Sequence, residues 1–151
     1  MQDAMGIILT DAGDTALREL SKWRTAAALP IGGRYRLIDF VLSGMANSGI
    51  TNVAVAPNYK YASLMEHLGA GSPWDLQREN GGLCIIPPYA SGSHIGEMDE
   101  MDVLTGLLPH LRKSRPGYVV LAKASTVLNI TFADALAFHK EKEADVTVLC
   151  H

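Results

Sequence analysis

Gly32 and Gly33 stand directly before Arg34, Tyr35 and Arg36 in the run RTAAALPIGGRYRLIDF, Arg24 to Phe40. Adjacent glycines let backbone N–H groups come close to a ligand, and guanidinium groups bind phosphate or carboxylate through parallel hydrogen bonds. Arg24, Gly32, Gly33, Arg34 and Arg36 are therefore candidate ligand-binding residues. The same residues also describe a plain turn followed by solvated arginines, and both readings stay open on these grounds alone. A second stretch, LTDAGDTALREL from Leu9 to Leu20, follows an apolar run where an α/β nucleotide-binding domain would carry its phosphate loop. It keeps small residues, but it has the single glycine Gly13 and the carboxylates Asp11 and Asp14, a composition wrong for cradling an anion.

Other reactive side chains form no pattern. His67, His94, His110, His139 and His151 are expected in different elements, which argues against a histidine metal site. Asp99, Glu100 and Asp102 read as an exposed acidic loop rather than a carboxylate metal cluster. Cys84 and Cys150 lie inside apolar runs and are expected to be reduced core residues without metal-ligand spacing. Met98 and Met101 are expected to make loop and core contacts, and Trp23 to be an interface or core aromatic. Asp39 falls at the start of a helical pattern and is expected to support local hydrogen bonding rather than catalysis.

These residues must be carried by alternating strands and helices. Strand-like runs are MGIIL near Met5, NVAVA from Asn52 to Ala56, LCIIPP with Pro87 and Pro88 as its stop, GYVVLA from Gly117 to Ala122, and DVTVLCH at the end. Helical periodicity covers Arg36 to Asn47, where Ile38, Val41, Leu42 and Met45 share one face and Gly49 follows the end. It recurs around Tyr61 to Leu68, before the glycines of GAGSP. A further amphipathic pattern runs from Met101 to Leu111, with Leu104, Leu107, Leu108 and Leu111 on one face, and another from Phe132 to Glu143, with Asp134, Lys140, Glu141 and Lys142 solvated. Pro87 to Asp102 reads as a long loop. This order predicts an α/β fold, a mostly parallel sheet with helices on both faces.

With 151 residues, 48% of them hydrophobic, the chain can bury one core. A formal net charge of -3 gives no reason to expect a nucleic-acid or anionic-membrane partner. No signal-peptide pattern and no membrane-length apolar run occurs, so the expected location is cytoplasmic.

The run from Arg24 to Val55 resembles the N-terminal nucleotidyltransferase domain of bacterial ADP-glucose pyrophosphorylase (glucose-1-phosphate adenylyltransferase). Arg24, Pro30, Gly32, Gly33, Tyr35, Arg36, Ile38, Asp39, Phe40, Leu42, Ser43, Asn47, Ser48, Gly49 and Ile50 fit the family pattern without a gap. The likeness continues from Ser63 to Tyr89 through the H-L-G-x-G-x-x-W-D-L and G-G-x-x-I-L-P-P elements, with Trp74 and Asp75 placed to shape the sheet edge or a subunit contact. It implies a Rossmann-like nucleotide-diphospho-sugar transferase fold, with residues 1–151 as its N-terminal portion. The rest of that domain and a left-handed β-helix would follow in a full protein.

The resemblance also implies what is missing. The family's catalytic loop, L-A-G-G-x-G-x-R-L, falls on Leu9 to Leu17, so its glycines become Asp11, Ala12 and Asp14 and its catalytic arginine becomes Ala16. An aspartate about 4 Å from a phosphate charge repels it by about 1 kcal/mol in water and about 4 kcal/mol at an effective dielectric near 20. The R-A-K-P lysine is Ala26, the Mg²⁺-holding aspartate of S-G-D-H is Ser125 in KAST, Lys123 to Thr126, and G-T-A-D has no clear counterpart in Met98 to Asp102. The family's effector-contacting lysine is Trp23. The expectation is a catalytically silent regulatory subunit that assembles as a hetero-oligomer with a catalytic subunit, holds no cofactor itself, and leaves Mg²⁺ to that partner. The alternatives are a sensor of a small sugar phosphate or nucleotide, and an active nucleotidyltransferase with an altered phosphate loop.

Overall fold

A computed structural model describes residues 3–10, 15–87, 100–127 and 129–150, the side chains of Thr15 and Ala16 excepted. Its central strand, β1 (Ala4–Leu9), is buried throughout because parallel neighbours flank it on both sides. These are β4 (Asn52–Ala56) and β6 (Tyr118–Lys123), and β5 (Gly82–Ile85) pairs in parallel with β4. The four-stranded sheet therefore runs β5-β4-β1-β6 and is wholly parallel, and the short strands β2 (Pro30–Ile31) and β3 (Tyr35–Arg36) form a separate antiparallel hairpin.

Alternation along the strands divides the core between two faces. Ala4 and Ile8 of β1 and Val53 and Val55 of β4 pack with α1 (Leu37–Asn47), α2 (Ala62–Leu68) and α4 (Phe132–Glu141). Ile7, Leu9 and Ala56 face α3 (Glu100–Ser114), which contributes Val103, Leu104, Leu107 and Leu111. Helices thus cover both faces, as the alternating pattern predicts. The segment Gly44 to Ile50 shows how tightly the first face is built. Gly44 lies so close to Phe132 that a Cβ there would sit 3.1 Å from the ring, and the buried Ser48 hydroxyl accepts from Phe132 N–H at 3.0 Å while donating to Gly44 O at 2.7 Å. Gly49, at φ +75°, then turns the chain into buried Ile50.

Several expectations need correction. DVTVLCH is not a strand: residues 145–150 carry no regular structure, since no neighbouring strand bonds them among the described residues. A cleft of about 640 Å³ separates residues 145–149 from β6 and α4, and Thr147 Oγ1 is tied to His139 Nδ1 at 2.8 Å. Among the described residues, β6 is therefore the edge strand on this side of the sheet, with β5 at the other. α3 begins at Glu100, inside the stretch read as a loop, and Leu108 is 43% exposed because only part of this face is covered, Val119 and Leu121 also lying open. Cys150 and Met101 are exposed rather than core residues, Trp23 is exposed and so lies outside the core half of its interface-or-core expectation, and Cys84 is half-buried. Pro88 to Asp99, including His94 and Met98, as well as His151, lie outside the described residues. No helix among the described residues is long and apolar enough to cross a membrane.

Candidate functional site

Two regions carry the polar groups that the sequence singles out. The first is built where the hairpin runs into α1. Arg36 is the last residue before the helix, and its N–H, one of the donors a helix start leaves unpaired, donates to Asp39 Oδ2 at 2.9 Å. Asp39 Oδ1 lies 2.6 Å from His67 Nε2 on α2, and the His67 ring meets Trp74 edge-on with centroids 6.0 Å apart. The Arg36 guanidinium reaches the same helix, donating through Nη1 to Ser63 O at 2.6 Å and Ser63 Oγ at 2.8 Å. Asp39 is 7% exposed, so a carboxylate removed from water here has both oxygens satisfied. The set forms a brace between α1 and α2.

Gly32 and Gly33 form the turn of the β2–β3 hairpin at φ +60° and +77°, with open space around both. Arg34 is exposed in that turn and Arg24 is half-buried, and neither makes a hydrogen bond or ion pair among the described residues. Arg36 is committed to Ser63. The hairpin therefore presents backbone and one guanidinium to solvent, while its second arginine secures the scaffold.

The second region lies at the carboxyl ends of β1 and β6. Thr10 closes β1, its N–H on Ala56 O at 3.3 Å and its Oγ1 accepting from Asn58 N–H at 2.8 Å. Ala124 N–H donates to Leu9 O at 2.8 Å, so β1 and β6 stay paired to their last residues. Ser125 is half-buried in the turn just beyond, where Thr126 N–H donates to Lys123 O at 3.2 Å. The Lys123 ammonium is ion-paired with Glu100, the first residue of α3. Ala26 is buried at 1% exposure beside Ala27 and Ala28 in a short 3-10 turn. Asp11, Ala12 and Asp14 lie outside the described residues, and Ala16 falls within a 3-10 segment, Thr15–Ser21, kinked at Arg18.

Among the described residues at this strand end, Ser125 is neutral, Lys123 is cationic and Glu100 carries a carboxylate, whereas a hard dication is held by several oxygen ligands, carboxylates foremost. No group of three or more metal-ligating side chains occurs among the described residues.

Two features escape the spacing rules. His67 joins Asp39 across 28 positions, and only the short Arg36-to-Asp39 spacing marks the helix start it braces. The Lys123–Glu100 pair could have been sought from a charge closing the apolar run GYVVLA. Trp74 packs inward against His67 and the main core, while Asp75 is exposed and paired with Arg78 Nη2 at 2.5 Å.

The family described as Nucleotidyl transferase matches residues 5–151. The chain is 41% identical to the Glycogen biosynthesis protein GlgD of Geobacillus stearothermophilus over 97% of its own length and 43% of that protein's. It is 38% identical to the Glucose-1-phosphate adenylyltransferase of Clostridium kluyveri over 97% of this chain and 39% of the relative. The chain thus spans about two fifths of the length of these relatives. Among solved structures, a Bacillus anthracis protein described as a glucose-1-phosphate thymidylyltransferase, in complex with a sucrose, superposes with a TM-score of 0.72 at 13% identity. The match covers 93% of this chain and 51% of that one, and it shows the fold alone.

Proposed function

This chain belongs to the nucleotidyl transferase family, and from that premise we propose that it is part of a non-catalytic regulatory subunit of glucose-1-phosphate adenylyltransferase in glycogen biosynthesis. The observation that carries the reading is a contrast within one fold. The α1–α2 brace is complete, while a buried alanine stands at position 26, a neutral serine at 125 and, in sequence, aspartates at 11 and 14. Nucleotidyl transfer from ATP to glucose 1-phosphate, with release of pyrophosphate, develops charge on phosphoryl oxygens that needs cationic and N–H donors. Here those donors are replaced by apolar or acidic residues. Support also comes from the relatives, which include both proteins named GlgD and proteins named for the adenylyltransferase. The working metal site belongs to a catalytic partner, with which this chain forms a hetero-oligomer in the cytoplasm.

The test is ADP-glucose formation by a fixed amount of catalytic subunit while the full-length version of this chain is titrated in. A saturating change in rate or effector response is expected, with no product from this chain alone. Robust turnover by this chain alone would falsify the proposal. A second reading, a sensor of a small phosphorylated ligand, is favoured by one observation: Arg34 is exposed beside the open glycine turn and makes no polar contact among the described residues.

A further inference from the structure

Phe40, Ser43, Gly44 and Asn47 recur at helical spacing on the outer side of α1 and border a second cavity of about 390 Å³, within the ~300–1,000 Å³ range of small-molecule pockets. Tyr35 of the hairpin and Asn129 to Thr131, the segment entering α4, complete its walls. Its floor is fixed, because Gly44 and the buried Ser48 are held against Phe132. Two of its hydroxyls hold positions from which they could bond their own helix. A hydroxyl inside a helix can return to the carbonyl four residues back, as Thr105 does to Met101 O at 2.7 Å, and a threonine just before a helix can cap it. Ser43 and Thr131 do neither, and Asn47 and Asn129 make no side-chain hydrogen bond among the described residues either.

These walls favour an uncharged ligand. Among the described lining residues no cationic side chain is present to hold an anion, and the one carboxylate, Asp39, has both oxygens engaged by Arg36 N–H and His67. The remaining groups are hydroxyls that both donate and accept, amides with two donors and an acceptor, and the rings of Tyr35 and Phe40, 55% and 36% exposed. A hexose has the matching complement: hydroxyls around a ring whose C–H face is attracted to the electron-rich face of an aromatic. We propose that the cavity on the outer side of α1 binds a neutral saccharide unit. Ser43, Asn47, Asn129 and Thr131 hydrogen-bond its hydroxyls, and Tyr35 packs on its ring. Ser125, Lys123 and Glu100 do not line this cavity, so saccharide binding and the regulatory role can fail independently.

Glucose and maltotriose are the probes, titrated against the full-length chain without nucleotide or catalytic subunit and followed by ligand-observed NMR. Both are expected to bind, with equal affinity where a single hexose is the ligand and with maltotriose tighter where a glucan chain is. Ser43→Ala and Asn47→Ala should each weaken binding by about threefold to tenfold, the scale of one hydrogen bond. Tyr35→Ala should cost a similar factor and Tyr35→Phe should keep the affinity. Sorbitol, which has the hydroxyls without the ring, should fail to displace glucose. Thermal unfolding of each variant checks that the fold is intact. No binding of either sugar, affinity that survives in a folded Tyr35→Ala/Asn47→Ala double variant, or displacement of glucose by inorganic phosphate overturns the assignment.

Discussion

The α1–α2 brace and the strand-end crevice belong to the same fold, yet their polar groups are arranged on opposite principles. In the brace, buried Asp39 and half-buried Arg36, His67 and Ser63 meet one another's hydrogen-bonding needs at 2.6 to 2.9 Å. At the strand ends, Ser125 is neutral, and Lys123 and Glu100 lie half in water. A closed network is held by stability alone, because losing one member strands the others without solvent. An open set is held by what it binds, and it can drift once that demand ends. Family likeness concentrated around Arg24 to Val55 therefore reports the scaffold first and the chemistry second.

The largest expected effect lies in the brace. Asp39→Ala leaves the Arg36 N–H and the His67 imidazole without their acceptor and should lower unfolding free energy by about 2–3 kcal/mol, read from chemical denaturation of the full-length chain. A double-mutant cycle with His67→Ala should give a coupling of about 1–2 kcal/mol, and an additive cycle would dissolve the distinction between the two regions. Gly82→Ala comes next. At φ +85° its Cβ would fall 2.5 Å from Leu76 O, a backbone atom that cannot swing aside, and about 2 kcal/mol should be lost. Gly33→Ala provides the control, because its φ of +77° is strained but the space around it is open, so about 1 kcal/mol is expected. At the crevice, Ser125→Ala should change stability by less than about 0.5 kcal/mol, measured in the same titration. A larger loss would mean that the strand end is as tightly built as the brace.

Much of this architecture was legible because it is local. Ile38, Val41, Leu42 and Met45 repeat at helical spacing and are all buried, and NVAVA and GYVVLA are strands within a residue of where their β-branched runs place them. Parallel pairing followed from the alternation of elements. DVTVLCH failed because a strand is a property of a pair: its composition suits a ladder, but Val146 and Val148 lie 78% and 76% exposed with no bonded neighbour among the described residues. Leu108 failed for a related reason, since helical periodicity says which residues share a stripe and not how much sheet lies beneath it. At the site, the lost lysine and metal positions were visible as Ala26 and Ser125, whereas His67 and the Lys123–Glu100 pair depend on contacts between elements far apart in sequence. Spacing rules see within an element, and these contacts form between elements.

The smallest effect sharpens the comparison by pH. His110, on α3, is half-buried, and its Nε2 is enclosed without a hydrogen-bond partner among the described residues. Burial, and secondarily the Lys113 ammonium, push its pKa below the ordinary value of 6.5. Because the folded state disfavours the charged imidazole, the unfolded chain binds more protons between the two pKa values. Stability is therefore complete above the unfolded value, declines as pH falls through the window beneath it, and levels off once the pH is below the folded value. Urea midpoints of wild type and His110→Leu, compared at about pH 7.5 and about pH 5.5, should show a larger acid-side loss in the wild type. Equal losses would mean that α3 tolerates the charge, and that the face carrying Glu100 is wetter than its packing against Ile7 and Leu9 implies.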